Sequence, residues 1–276
     1  MHSSSRSREA RPGSMLEKEQ LQLLNQVRPR VHCLTNPVTM QGVANMLLAA
    51  GGSAIMAQDP EEVQDIAALC QAVLLNTGVP DREKFRACVL AGERANELGI
   101  PVILDPVGAG ASPFRLQELE QLAKKVRLSL IRCNQEEAKA LLHIWNGRSK
   151  GVESGADLGQ EEQKGLAVSL SKAYGCAVLV SGRQDAVSDG ERTELLAGGD
   201  GRIARITGGG CMLSALCALL CGAGIPAYEA ALTAGRLWRR SAELAGKTAG
   251  GIGSFQAALF DAAEQCFYRE MQEERG

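Results

Sequence analysis

Residues 72–105 read AVLLNTGVPDREKFRACVLAGERANELGIPVILD, which places a longer amphipathic segment between two short apolar runs. The apolar runs have the length of buried strands, and residues 81–98 between them are predicted to form a helix. Two strands joined through a helix run parallel, because a tight turn joins only antiparallel neighbours. Similar runs recur with helix-like spacers: RVHCL, SAIMA, RLSLI and CAVLVSG. The sequence predicts an α/β protein whose mostly parallel central sheet is covered by helices on both faces.

Two further segments extend this pattern. A helix is predicted over residues 59–70, because the segment opens with Asp-Pro and proline suits the first helical position. Residues 183–196 contain two polar-alternating stretches around an Asp-Gly pair, a dipeptide that favours a hairpin turn. We therefore expect an antiparallel edge to complete the sheet.

The chain is predicted to form one domain. Its last quarter has a helical pattern broken by Gly and Pro, no linker divides it, and 276 residues lie within the reach of a single α/β domain. We assign this domain to residues 15–276. Residues 1–14 are rich in Ser and Arg and are expected to be a disordered tail or a cloning remnant, which leaves Met1 and Met15 as alternative natural starts.

Composition excludes two classes of partner. The formal net charge is -2 and no long basic run occurs, so the electrostatic footprint of a nucleic-acid binder is missing. Each apolar stretch is interrupted by Gly, Pro or charge before it reaches the roughly 20 residues of a membrane span. We expect a protein that binds small molecules rather than nucleic acid or a membrane.

The nine cysteines indicate a reducing compartment. Their number is odd, no C-x-x-C pair occurs, and no secretory signal is evident, so a cytoplasmic location is expected. Most of them are predicted to be small buried hydrophobic residues, namely Cys70, Cys88, Cys176, Cys217, Cys221 and Cys266.

Polar loops that carry chemistry fall at one edge of the predicted sheet. Ligand sites in such sheets lie outside the carboxyl ends of the strands. Six loops are placed there: LTNPVT (34–39), NTGVPD (76–81), DPVGAGASP (105–113), RCNQEE (132–137), SGRQD (181–185) and TGGGC (207–211). Their common position predicts one ligand site built from several loops.

The glycines Gly208, Gly209 and Gly210 stand immediately before apolar helix-forming sequence. Successive N–H groups and the positive end of a helix dipole at this turn would stabilise a phosphoryl group in transfer. The alternative is a tight connection in which the glycines serve only packing.

Cys211 follows this turn directly. A thiolate is expected to be favoured there by the helix dipole. Four roles are open: a redox thiol, a covalent nucleophile, a group that activates or orients a hydroxyl, and a small buried residue. The first two lack a nearby second cysteine and a clear histidine partner, for which His32 is the candidate.

Asn134 and Glu137 form an N-x-x-E pattern just after a predicted strand, which places both on the first turn of a helix. Glu137 and Asp105 are candidate ligands for Mg²⁺ carried with a nucleotide, since such ions use one or two carboxylates. A capping box without any ligand is the alternative for this pair. Arg132 is predicted to contact nucleotide phosphates or to form a surface ion pair.

Together these motifs resemble the hydroxyethylthiazole kinase family, the thiazole kinases of thiamine salvage within the ribokinase-like superfamily. The resemblance covers residues 16–270. It rests on NPVT, DPVGAGAS, R-x-N-x-x-E, VSG, TGxGCMLSA and GSFQ, which occur in the family's order. A single ribokinase-like domain is therefore expected.

The resemblance implies transfer of the γ-phosphoryl group of ATP to the hydroxyl of 4-methyl-5-(2-hydroxyethyl)thiazole with Mg²⁺. It assigns catalysis to the anion turn and the thiol (Gly209, Gly210 and Cys211). Nucleotide contacts are implied for Arg132, Ser181 and Asn134. Thiazole contacts are implied for Met56, Gly208 and Asn36. The metal and phosphate region is implied to contain Asp105 and Glu137.

The family is a homotrimer with active sites between chains, so the resemblance implies that Asn36 and Met56 serve a site completed by another subunit's Gly208 and Cys211. Most ribokinase-like enzymes have Asp where this family has Cys211. The sequence departs from the family where Cys133 replaces a common Gly and Gly209 a common Thr. These departures keep open a non-catalytic protein that binds the thiazole or a nucleotide. The alternative enzyme is a kinase for another small heterocyclic alcohol, and a redox sensor rests only on the thiols.

Overall fold

A computed structural model describes residues 15–145 and 159–268. The predictions for residues 1–14 therefore lie outside the described part of the chain. The described residues form, in chain order, α1 (Met15–Val27), β1 (Arg30–Leu34), α2 (Met40–Ala49), β2 (Ser53–Ile55), α3 (Val63–Ala68), β3 (Ala72–Asn76), α4 (Arg82–Glu97), β4 (Val102–Asp105), α5 (Pro113–Lys125), β5 (Leu130–Asn134), α6 (Gln135–Trp145), α7 (Gln160–Tyr174), β6 (Ala177–Ser181), β7 (Asp185–Ser188), β8 (Thr193–Leu196), α8 (Gly209–Gly222), α9 (Ala227–Thr248) and α10 (Ile252–Phe267).

The eight strands form one sheet in the order β2-β1-β3-β4-β5-β6-β7-β8. Strands β1 to β6 are parallel, and β7 and β8 are antiparallel to their neighbours. From β1 the chain first moves outward to β2 and then returns past β1 to β3. The strand order therefore reverses between β1 and β3, and ligands bind outside the carboxyl ends of strands at such a switch point.

Alternating side chains of the strands enter two separate cores. Val31 and Cys33 of β1 and Leu74 of β3 pack on one face with α2, α8, α9 and α10. Leu34 and Leu75 pack on the other face with α3 to α7. The period-2 alternation of buried strands thus places helices on both sides of the sheet, which confirms the predicted α/β architecture. All nine cysteines are buried free thiols, so the six that were predicted to be small buried residues are buried.

The helix predicted over residues 81–98 is confirmed as α4, and the Asp81 carboxylate accepts a hydrogen bond from the Lys84 N–H at 2.7 Å. The helix predicted over 59–70 is shorter than expected. Its first residues form a turn, because the Asp59 carboxylate takes the Glu61 N–H at 2.9 Å and competes with helical hydrogen bonds. The helix proper, α3, begins only at Val63.

The hairpin predicted over residues 183–196 is confirmed as β7 and β8 at the edge of the sheet. Its connection spans the four residues 189–192 rather than the Asp-Gly pair alone. The Asp189 carboxylate accepts the N–H groups of Glu191 and Arg192 and holds this wider turn. In the part of the chain that is described, no helix is both long enough and apolar enough to cross a membrane.

Candidate active site

A cleft of about 1130 Å³ opens at the carboxyl ends of the parallel strands. It brings together residues from the ends of β4, β5 and β6, the loop after β1 and the start of α8. Every predicted site residue except Met56 lines it: Asn36, Asp105, Arg132, Asn134, Glu137, Ser181, Gly208, Gly209, Gly210 and Cys211. The six predicted loops therefore converge on one cleft.

The glycine turn forms the N-terminus of α8. Gly208 is the N-cap with φ 81°, a left-handed conformation that favours glycine, and its carbonyl accepts the Met212 N–H at 2.8 Å. Gly210 allows a close approach of another kind, because a Cβ atom there would overlap the Arg132 guanidinium and force it to shift. The first N–H groups of a helix have no intrahelical partners, so this turn presents donors and positive potential to the cleft.

Cys211 lies in the first turn of α8 with its side chain almost fully buried. The Asn76 amide nitrogen is 3.1 Å from its sulfur. Burial, reinforced by the neighbouring Asp105 carboxylate, raises the pKa of the Cys211 thiol to about 11. The expectation of a favoured Cys211 thiolate is therefore wrong, because burial and the neighbouring Asp105 charge favour the neutral thiol. At neutral pH Cys211 is a thiol, which disfavours the redox and nucleophile interpretations.

Asn76 joins the predicted site residues in one hydrogen-bonded group, although it was not itself predicted as a site residue. Its Nδ2 donates to Asp105 Oδ2 at 2.7 Å and lies against the Cys211 sulfur. Its Oδ1 accepts hydrogen bonds from Asn36 Nδ2 and the Gly78 N–H, both at 3.0 Å. The position of Asn76 at the end of β3 could have indicated a site residue. That position alone is not specific, because an asparagine at a strand end has many structural uses. We name Asn76, Asp105 and Cys211 the central triad.

Asn36 also belongs to this group. Its Nδ2 is 3.9 Å from the sulfur of Cys211 in the same chain. The implied division, in which Asn36 meets the Cys211 of another subunit, is therefore corrected: the loop after β1 and the start of α8 meet at the switch point within one chain.

Met56 lies outside the cleft, in a neighbouring hollow of about 410 Å³ that shares Val79 with it. Lys84 and Gln58 also line this hollow. The candidate histidine partner of Cys211 is engaged nearby, since His32 Nε2 lies 2.9 Å from the Ala57 carbonyl oxygen. The structure thus associates His32 with the Met56 loop rather than with the thiol.

Arg132 is buried in the middle of β5, so its interpretation as a surface ion pair is wrong. Its Nη2 donates to Ser181 Oγ at 2.5 Å, and its Nη1 is 3.9 Å from Asp105 Oδ1. The guanidinium also lies against Gly210. It therefore places a fixed positive charge beside Asp105, Ser181 and the first turn of α8. Such a group is suited to phosphate oxygens.

Asn134 and Glu137 form the predicted capping box. Asn134 Oδ1 accepts the Glu137 N–H at 2.8 Å, and Glu137 Oε2 accepts the Asn134 N–H at 2.9 Å. Glu137 Oε1 accepts a further bond from the Gly108 N–H at 2.9 Å, which ties α6 to the loop after β4. The capping and binding interpretations are compatible, since each carboxylate oxygen has a second lone pair beyond the one that these bonds use.

Asp105 and Glu137 fit a divalent cation that arrives with a nucleotide. Asp105 Oδ1 is buried and has no hydrogen-bond partner in the described part of the chain. Burial raises the pKa of both carboxyls, and the Arg132 charge opposes that rise. No group of three or more His, Cys, Asp or Glu side chains within residues 15–145 and 159–268 is arranged to hold a metal alone. The set matches Mg²⁺, which keeps waters and shares phosphate oxygens.

The two departures in sequence have different structural consequences. Cys133 is buried in β5 and does not have a positive φ, so the backbone there does not require glycine. Gly209 also lacks a positive φ, but a Cβ at this position would lie 3.0 Å from the Ile203 carbonyl oxygen. The fold therefore accepts Cys133 without strain and leaves little room for a side chain at Gly209.

The fold is that of the ribokinase-like proteins. A ribokinase-like superfamily protein from Enterococcus faecalis V583 has the same fold, with a TM-score of 0.65 at 12% identity over 94% of this chain and 99% of that chain.

The chain belongs to the Hydroxyethylthiazole kinase family, whose model matches residues 21–268. It is 40% identical over 253 residues to the hydroxyethylthiazole kinase of Alkaliphilus oremlandii (strain OhILAs), which covers 90% of this chain and 93% of that protein. The structure of the hydroxyethylthiazole kinase protein from Pyrococcus horikoshii OT3 is similar with a TM-score of 0.84, 35% identity and coverage of 91% and 94%. The resemblance seen in the sequence is confirmed, and the chain is a kinase.

We predict that Gly210→Ala lowers kcat/KM at least about tenfold, because the added methyl group displaces the Arg132 guanidinium from the anion turn. Steady-state phosphorylation kinetics measure the effect. Gly165→Ala is the matched control, since a Cβ there meets open space on α7. Equal kcat/KM in Gly210→Ala and the wild type, with both folded, would show that this close approach is unnecessary.

We predict that Cys211 carries no thiolate at pH 8, because its pKa is raised to about 11. The measurement is thiolate absorbance at 240 nm as a function of pH, taken as the difference between wild type and Cys211→Ser to remove the other eight thiols. The difference should stay flat up to about pH 9, above the ordinary thiol midpoint. A rise in the absorbance difference with a midpoint below about pH 8.5 would contradict this prediction and support a thiolate stabilised by the helix dipole.

Proposed function

We propose that the chain transfers the γ-phosphoryl group of ATP to the hydroxyl of 4-methyl-5-(2-hydroxyethyl)thiazole, the salvage reaction of thiamine biosynthesis. The observation that carries the proposal is the joint presence of the helix N-terminus at residues 208–210, the central triad and the Arg132 guanidinium in one cleft. This set offers donors for a transferring phosphoryl group beside a place for an alcohol.

The acceptor end of the cleft lies at the switch point. The alcohol oxygen is placed beside the Cys211 sulfur, which orients the hydroxyl, while the Asn36 and Asn76 amides fix the thiol. A thiol with a pKa of about 11 is a poor base at neutral pH. A strong base is not needed, because the transition state of phosphoryl transfer is loose and the alcohol proton passes late to an oxygen of the transferred phosphoryl group.

The donor end lies toward β5 and β6. Arg132, Ser181 and Asn134 are assigned to the nucleotide, and the N–H groups of Gly209 and Gly210 to the migrating phosphoryl group. The bond from the γ-phosphorus to the β-phosphate oxygen breaks as the bond to the alcohol oxygen forms. Asp105 and Glu137 would hold Mg²⁺, which neutralises phosphate charge when bound.

The direct test incubates the purified full chain with MgATP and the thiazole alcohol and measures the phosphorylated thiazole and ADP by chromatography. We expect both products in equal amounts, and Asp105→Asn should reduce the rate at least about a hundredfold, since a carboxylate proposed to hold Mg²⁺ at the phosphates is lost. ADP without phosphorylated thiazole, or turnover unchanged in Asp105→Asn, would contradict the proposal.

We predict that Cys211→Asp retains or increases kcat, because a carboxylate accepts the alcohol proton near neutral pH more readily than the raised-pKa thiol. Cys211→Ala is the control for simple loss of the side chain. Turnover by both variants and their melting temperatures should be measured at pH 7. Complete loss of activity in a folded Cys211→Asp protein would remove Cys211 from its assigned place beside the hydroxyl.

We further propose that the protein is a cytoplasmic homotrimer in which Met56 of one subunit completes the acceptor end of another subunit's cleft. The nine free thiols support a reducing location. Two exposed valines support an apolar contact beside the cleft, since Val38 and Val79 are 65% and 55% exposed there. The separate hollow that contains Met56 supports a contribution across an interface.

We predict that two inactive variants complement each other if their defects lie on opposite sides of this interface. Met56→Glu and Asp105→Asn, mixed in equal amounts and exchanged through dissociation, should regain activity at about a quarter of the interfaces. Activity of the mixture is compared with each variant alone, and mass from light scattering reports the assembly. A mixture no more active than its parts, in an exchanging oligomer, would place Met56 outside a shared site.

A further inference from the structure

Arg239 is buried in α9, and its guanidinium uses all five of its N–H donors inside the protein. Nε and Nη2 bind the two Asp185 carboxylate oxygens, each at 2.7 Å. Nη2 also donates to the Gly182 carbonyl at 3.1 Å. Nη1 donates to the carbonyl of Arg183 at 3.3 Å and to that of Gly198 at 2.5 Å. No donor of this side chain is left for a ligand.

The partners of Arg239 lie on two loops that line the cleft. The first loop, residues 182–184, follows Ser181 and leads into β7. The second, residues 197–201, follows β8 at the edge of the sheet. One guanidinium therefore fixes two loops relative to each other, and a planar fork with five donors does this with defined geometry.

The first loop is held from the opposite face as well. Gln163 of α7 donates from Nε2 to the carbonyls of Val180 and Gln184. Asp185 returns a bond to the loop, since its Oδ1 accepts the Gly182 N–H at 3.1 Å. The loop after β6 is thus clamped between helices of the two layers. Of these clamping side chains, Arg239 is the one that also binds the second loop, through the Gly198 carbonyl.

We propose that Arg239 is a positioning residue for the nucleotide half of the cleft, acting through the loops 182–184 and 197–201. The inference rests on the proposed function, which assigns Ser181 and its surroundings to the nucleotide. Strand β6 lies three strand spacings from β3, about 14 Å. Arg239 therefore sets nucleotide affinity and leaves the acceptor alcohol, bound at the central triad, unaffected.

The test compares Arg239→Met with Arg236→Met. Both changes remove a guanidinium that pairs with a carboxylate of the β7–β8 hairpin, and both lie on α9. Arg236 binds Glu194 at 2.6 Å on the surface, away from the cleft. MgADP affinity is measured by calorimetry, and KM values are measured for ATP and for the thiazole alcohol.

We expect Arg239→Met to weaken MgADP binding and raise the KM for ATP at least about tenfold, with the KM for the alcohol changed less than about twofold. Arg236→Met should leave all three values unchanged. Equal effects on both substrates would indicate a merely structural role and overturn the inference. So would unchanged nucleotide affinity in Arg239→Met.

Arg239→Lys keeps a positive charge beside Asp185 and guards against failure to fold, since loss of the arginine alone leaves a buried carboxylate without its partner. Lysine has three donors and no planar fork, so the folded variant should still bind MgADP more weakly, by about threefold or more. Wild-type affinity in Arg239→Lys would overturn the inference. A wild type that binds MgADP yet does not phosphorylate the alcohol would contradict the proposed function alone, and a wild type that binds no nucleotide would overturn both.

Discussion

The amide of Asn76 holds a buried carboxylate and a buried thiol side by side at the point where the strand order of the sheet reverses. The carboxylate is not stable in a dry interior without partners, because burial removes the water that solvates its charged form. The amide supplies a donor to both Asp105 and Cys211, and the Arg132 charge opposes the cost of burying Asp105. The hydrogen bonds of Asn76 thus fix the position of Cys211, at the proposed acceptor end of the cleft, relative to Asp105, at the proposed phosphate end.

The position of Cys211 is fixed by packing rather than by the loop that precedes it. Every residue of α8 from Cys211 to Cys221 is buried, and the helix packs across β1, β3 and β4. A helix that is apolar on all sides has one stable location, the middle of a core. Its N-terminus, with the free N–H groups of the glycine turn, is consequently directed at the carboxyl ends of those strands. The hydrophobic core thus determines where the anion turn lies.

The fold and much of the site follow from local sequence signals. Buried strands give continuous apolar runs, and the capping box at Asn134 and Glu137 depends on residues three apart, so both are predictable from the amino-acid sequence alone. The protonation state of Cys211 is not predictable in this way, because its pKa depends on the burial depth of α8 and on Asp105, which is distant in sequence. The roles of Asn76 and Arg239 could not be predicted for the same reason, because their hydrogen-bond partners are distant in sequence and meet only in the folded sheet.

The proposed mechanism requires that the amides of Gly209 and Gly210 bind the migrating group while the acceptor hydroxyl lies beside Cys211. A crystal structure of the protein with Mg²⁺, a non-hydrolysable ATP analogue and the thiazole alcohol bound together would measure both positions at once. We expect the terminal phosphate within hydrogen-bonding distance of those amides and the alcohol oxygen between that phosphate and the Cys211 sulfur. A terminal phosphate bound elsewhere in the cleft, with the alcohol remote from Cys211, would refute this arrangement.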